Sequence, residues 1–98
     1  MSDRPHQITQ TVRAGLECDD ATGAVVPPIH LTSTFAFRCF GEKRGYDYTR
    51  SGNPTRDLLA NALAELEAGV GAVVTATGMA AITLIGYLIP NGGRIVAP

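Results

Sequence analysis

The spacing of apolar residues changes character halfway along the chain. No period is sustained through residues 1–52. A short helix is predicted from Ile8 to Gly15, followed by turn-rich residues and then Val25-Val-Pro-Pro-Ile29, where two prolines force an extended path and remove ladder donors. From Asn53 the pattern becomes regular. Asn53 is a good N-cap, and Pro54 suits the first helical position, where its missing N–H costs nothing. Leu58, Leu59, Ala62, Leu63 and Leu66 then fall in one arc running toward Val70, with Asp57, Asn61 and Glu65 opposite. Gly69 and Gly71 are expected to end this helix.

Gly71-Ala-Val-Val-Thr75 is a short apolar run without alternation, the pattern of a strand covered on both faces. A second helix is predicted from Gly78 to Leu88, apolar nearly all the way round and therefore expected to be buried on most sides. Pro90-Asn-Gly-Gly93 makes a turn, and Arg94 to Pro98 begins another strand. Strand, helix, turn and strand give a βαβ-like rhythm and imply a parallel sheet. The expected organisation is an extended N-terminal arm over residues 1–52 and the beginning of an α/β domain over residues 53–98. A wrapped helix and a doubly covered strand need layers on both sides. The expectation is therefore part of a larger α/β enzyme, with the sheet incomplete in these 98 residues.

Composition removes several classes of function. The chain is 45% apolar and 17% charged, which suits a globular protein and not a disordered tail. A formal net charge of −1 gives no electrostatic reason to expect nucleic acid or an anionic membrane. The longest apolar run, Met79 to Pro90, is shorter than the roughly 20 residues a membrane helix needs, and Met1 to His6 has no apolar core for a secretory signal. A cytoplasmic address is expected. Cys18 and Cys39 form no Cys-x-x-Cys pair and have no histidine pair nearby, so no metal site is expected.

Two stretches carry candidate chemistry. Thr75-Ala-Thr-Gly-Met79 joins the predicted strand to the second helix. Free N–H groups at such a helix start attract phosphate, Gly78 permits close approach, and Thr77 adds a hydroxyl. Many strand-to-helix turns of this composition bind nothing, so the motif alone leaves both readings open. Tyr48 and Arg50 lie two residues apart, so both project to one face of an extended segment, offering a hydroxyl and a planar fork of donors. The alternative is a solvated loop stacking on its own neighbours. Neither a dinucleotide fingerprint nor a P-loop is present.

Several ordered runs bear a resemblance: Val12-Arg-Ala-Gly15, Val26-Pro-Pro-Ile-His-Leu-Thr-Ser-Thr34, Tyr46-Asp-Tyr-Thr-Arg-Ser-Gly-Asn-Pro-Thr-Arg56, Ala64-Glu-Leu-Glu67 and Thr77-Gly-Met79. Through them the chain resembles the N-terminal part of the pyridoxal-phosphate enzymes of cysteine and methionine metabolism, the cystathionine γ-synthases most of all. The resemblance covers Thr11 to Pro98. It implies the large α/β domain of the aspartate-aminotransferase type, followed by a smaller domain and assembled as a dimer of dimers. It implies pyridoxal 5′-phosphate as cofactor, its phosphate held by the backbone at Gly78 and Met79 and by Tyr48 and Arg50 of the neighbouring subunit. Asp47 and Tyr46 are expected near the active-site mouth, in contact with substrate.

The reaction so implied replaces the γ-acyloxy group of an O-acyl-L-homoserine with L-cysteine, and the partners are small amino-acid substrates. The family's catalytic lysine is expected downstream, because Lys43, the single lysine here, sits in a charged turn. These residues are thus expected to contribute no catalytic group, and the chain alone to be inactive. A non-catalytic piece docking on a full-length partner, a remnant unfolded alone, or a related lyase or sulfhydrylase are the competing readings.

Overall fold

The computed structural model describes residues 6–16 and 19–97. Three helices are present: α1 (Gln7–Arg13), α2 (Pro54–Leu66) and α3 (Gly78–Gly86). Each begins at a side-chain cap. His6 accepts from the Ile8 N–H at 3.4 Å, Asn53 from the Thr55 N–H at 3.0 Å, and the Thr77 hydroxyl from the Ala80 N–H at 3.1 Å. A cap satisfies one of the donors that a helix start leaves open. Pro54 occupies the first turn of α2, where no backbone donor is required.

The end of α2 differs from the sequence expectation. The helix stops at Leu66, and the left-handed residue that turns the chain is Ala68, with φ 53°, not Gly69 or Gly71. The Ala68 N–H donates to the Glu65 carbonyl at 3.2 Å and the Gly69 N–H to the Ala64 carbonyl at 2.8 Å. These two bonds make a Schellman cap, in which glycine usually takes the position that alanine fills here. Helix α3 ends at Gly86, with Tyr87 as its C-cap still donating to the Thr83 carbonyl at 3.3 Å. Beyond it Leu88 and Ile89 donate to carbonyls three residues back, at 3.0 and 3.2 Å, tightening the last turn.

No β-strand forms among the described residues. Residues 71–75 and 94–97 run without sheet partners, and Pro98, the last residue of the second predicted strand, lies outside the described residues, as does Cys18. A strand is defined by its ladder, and nothing among the described residues supplies one for these segments. The bridges that do form are isolated and antiparallel, Thr34 with Tyr48 and Cys39 with Glu42.

Burial follows the same division. Among the described residues no apolar side chain is buried, and α3, expected to be wrapped, leaves Met79 71%, Ile82 62% and Ile85 62% exposed. Helices α1 and α2 touch, and α3 touches neither. The Cα radius of gyration is 17.6 Å, against about 13 Å for a compact domain of this length. The one buried residue among those described is polar: Asn53, at the head of α2. No described helix is long and apolar enough to cross a membrane.

Candidate anion-binding site

The loop that carries Tyr48 and Arg50 is organised around Asn53. Its side-chain oxygen caps α2, while its amide nitrogen donates to the Thr49 hydroxyl at 2.9 Å and to the His30 carbonyl at 3.4 Å. The His30 N–H in turn donates to the Thr55 hydroxyl at 2.9 Å. Residues 30–35 run alongside the loop: the Thr49 N–H donates to Ser33 O at 2.8 Å and the Phe35 N–H to Asp47 O at 2.9 Å. Arg56, one turn into α2, reaches back to the carbonyls of Thr49 at 2.8 Å and Arg50 at 3.5 Å. A buried amide with both ends engaged is strongly favoured over one left unpaired, so this knot fixes the path of the loop.

On this platform Tyr48 and Arg50 both stand exposed on one side of the chain. The guanidinium carbon of Arg50 lies 5.4 Å from the centre of the Tyr48 ring, and Arg50 Nη2 donates to the Tyr48 hydroxyl at 3.3 Å. The two residues therefore do stack on one another, as the alternative reading of the sequence has it. The stack still presents a cation and a phenol side by side to solvent, with no carboxylate paired to Arg50 among the described residues.

Asp47 and Tyr46 face their own loop. One Asp47 oxygen accepts from the Tyr48 N–H and the Ser51 hydroxyl, both at 2.7 Å, and the other lies 3.7 Å from Lys43 Nζ. The Ser51 hydroxyl, then the Tyr48 amide and the Lys43 charge hold the Asp47 carboxyl below its ordinary range. Tyr46 packs 5.4 Å from the Phe35 ring and lies over Gly52, where an added Cβ would come within 3.1 Å of the Tyr46 ring. Desolvation, followed by Asp57 beside it, pushes the Tyr46 phenol upward.

The second candidate element is the start of α3. Thr77 turns its hydroxyl inward to cap Ala80, and Thr75 Oγ1 donates to Thr77 O at 2.9 Å. The N–H groups of Gly78 and Met79 meet no acceptor among the described residues. Two open amides at the positive end of a helix are suited to an anion. An added Cβ at Gly78 would meet nothing within 4 Å, so the approach is clear. No hydrogen bond joins Tyr48 or Arg50 to residues 75–79 among the described residues. The described residues also contain no group of histidines, cysteines and carboxylates able to hold a metal.

Sequence reasoning placed Tyr48 and Arg50 on one face of an extended segment, whereas a turn closed by the Ser51 and Gly52 N–H groups on the Tyr48 carbonyl brings them together; it placed Gly78 and Met79 at a helix start, where they lie. It gave Asn53 only a capping role and passed over Thr49, Arg56 and His30. Their bonds reach back across the loop, and periodicity carries no trace of such contacts. The helix cap hid one further signal: Arg56 follows Asn53 by three residues, a spacing that returns its side chain toward the N-terminal turn.

Comparison with known proteins finds a family and several relatives. The family model described as Cys/Met metabolism PLP-dependent enzyme matches residues 8–98. Cystathionine gamma-synthase of Escherichia coli is 56% identical over 93 residues, covering 94% of this chain and 24% of that protein. Cystathionine gamma-lyase of Sus scrofa is 40% identical over 93 residues, covering 94% of this chain and 23% of the lyase. The crystal structure of cystathionine gamma synthase from Xanthomonas oryzae pv. oryzae in complex with cystathionine superposes with a TM-score of 0.80 at 59% identity, over 88% of this chain and 22% of that one. The chain thus spans about a quarter of the length of the relatives it matches and shares that part of their fold. It belongs to the pyridoxal-phosphate-dependent enzyme family of cysteine and methionine metabolism.

Proposed function

We propose that these residues form the N-terminal part of a cystathionine γ-synthase-like enzyme, in which they help to hold the phosphate of pyridoxal 5′-phosphate. In this reading residues 1–52 are an arm and residues 53–98 begin the large α/β domain of a cytoplasmic dimer of dimers. Tyr48 and Arg50 of one copy reach the phosphate bound by the Gly78 and Met79 amides of its neighbour, and Asp47 and Tyr46 shape the mouth that admits an O-acyl-L-homoserine and L-cysteine. The observation that carries the reading is a matched pair of openings. An exposed phenol–guanidinium pair and two unpartnered amides suit the same kind of ligand, and neither satisfies the other.

The residues present fit the phosphate end of the cofactor and not its aldehyde end. Lys43, the single lysine, faces Asp47 on an exposed turn and has no part in either opening. When bound, the cofactor supplies the electron sink for removing protons and the γ substituent. The chain's own residues contribute the grip: main-chain donors from α3, and a hydroxyl and a bidentate cation from the loop. The 98 residues alone are accordingly inactive. The preference for γ-synthase over lyase rests on the greater identity to the synthase, 56% against 40%.

The test uses the complete enzyme containing this chain. Arg50→Ala should weaken retention of pyridoxal 5′-phosphate by about 1–3 kcal/mol, the scale of a charge-assisted contact. Unchanged affinity removes the assigned role. Formation of cystathionine from an O-acylhomoserine and cysteine supports the γ-synthase assignment, and cleavage of cystathionine in its place transfers it to the lyases. One observation favours the second reading, a piece that docks on a full-length partner: the uncovered apolar surface of α3. A coding frame that stops after Pro98 would favour docking, and one continuing to a downstream lysine would favour the enzyme.

A further inference from the structure

We infer that Thr49 and Arg56 are positioning residues for the Tyr48–Arg50 grip, holding the backbone between the two so that both side chains meet one anion. The inference rests on the phosphate reading of Tyr48 and Arg50 and adds the device that aims them. Thr49 lies between the pair, in a turn closed by the Ser51 and Gly52 N–H groups donating to the Tyr48 carbonyl at 3.0 and 3.1 Å. All three of its polar atoms are engaged. The N–H donates to Ser33 O at 2.8 Å, the carbonyl accepts from Arg56 Nη1 at 2.8 Å, and the hydroxyl accepts from Asn53 Nδ2 at 2.9 Å. Thr49 is half-buried while its two neighbours are exposed. A residue pinned in three directions leaves its neighbours little freedom except in their own side-chain torsions.

Arg56 extends the pin to the next residue, because its second nitrogen lies 3.5 Å from the Arg50 carbonyl. Its guanidinium thus spans two consecutive carbonyls, a fork that lysine cannot reproduce. No carboxylate forms an ion pair with Arg56 among the described residues. Its charge therefore stays unneutralised close to Arg50 and adds to the positive potential an incoming anion meets. Asn53 and Arg56 both belong to the head of α2, so the grip is tied to a helix and not to a free loop. Preorganised donors lose less on binding than donors that must first be ordered.

The experiment measures, in the complete enzyme stripped of cofactor, the affinities for pyridoxal 5′-phosphate and for pyridoxal, which lacks the phosphate. Their ratio isolates the phosphate grip from general damage to the fold. Thr49→Val keeps the side chain's shape and removes its hydroxyl, Thr49→Ser restores the hydroxyl, and Arg56→Gln removes the fork and its charge. The expected result is a fall of about five- to tenfold in the ratio for Thr49→Val and Arg56→Gln, with recovery in Thr49→Ser. Arg50→Ala combined with Arg56→Gln should lose less than the product of the two single effects, since part of the Arg56 contribution passes through Arg50. Should Arg56→Gln fail to fold, Thr49→Val decides. An unmoved ratio, or both affinities falling in parallel, overturns the inference while leaving the phosphate reading intact. A ratio unmoved by Arg50→Ala overturns both.

Discussion

Between residues 30 and 57 the chain is tied across long loops: Asn53 reaches His30 over 23 residues, and His30 reaches Thr55 over 25. Between residues 71 and 97 every hydrogen bond described joins residues no more than four apart. The first region is the more polar and holds the buried residue. The second is rich in Val, Ile and Leu and buries none of them. Hydrogen bonds are directional and can be completed by a few local partners, so a polar knot closes within a short chain. Apolar burial needs area on every side, and three helices without a sheet do not provide it. The region with the strongest hydrophobic signal is for that reason the one left open.

The largest test of this contrast is Asn53→Ala. It removes the α2 cap together with the bonds to Thr49 and His30 and should cost about 2 kcal/mol or more, seen as lost amide-exchange protection at Thr49 and Asp57. Protection in α3 should not change, because no bond links the regions; a parallel loss there would break the comparison. Ala68→Gly should stabilise the end of α2 by about 1 kcal/mol by relieving the left-handed alanine, measured as slower exchange at Gly69. The pH response belongs to the polar region as well. Asp47 has a lowered carboxyl, so its contribution is present above the ordinary aspartate value of about 3.9 and is lost as pH falls through the lower folded value. The Tyr48 amide shift should follow that titration, and a titration at the ordinary value would remove the Ser51 and Tyr48 bonds from the account. The smallest effect is expected from Ile82→Gln. With Ile82 62% exposed, thermal unfolding of this chain should change by no more than about 0.5 kcal/mol.

The same contrast sorts what the sequence could reveal. Asn53-Pro54 marked the start of α2, because a cap is local chemistry and needs no third party; the Thr77 hydroxyl, expected to face phosphate, caps α3 instead. The i, i+2 spacing of Tyr48 and Arg50 predicts one face of an extended segment, whereas a turn closed onto the Tyr48 carbonyl is what brings the two side chains together. Residues 71–75 carried the composition of a strand, but composition records an affinity for a ladder and cannot provide one. Ala68 escaped notice because a glycine one residue later was the expected left-handed residue, while the cap bonds selected Ala68. Thr49 and Arg56 escaped because their partners are set by how the loop folds back, which no linear spacing encodes.

The turn ahead of α3 has a consequence for how tolerant position 79 will be. On the proposed reading Met79 serves through its main-chain nitrogen, a possession of every amino acid but proline. Its thioether is then at liberty to answer to whatever packs beside it, and swapping it for leucine should pass unnoticed by the ligand. Only the imino acid would be felt, and that asymmetry would distinguish a residue chosen for its amide from one chosen for its sulfur.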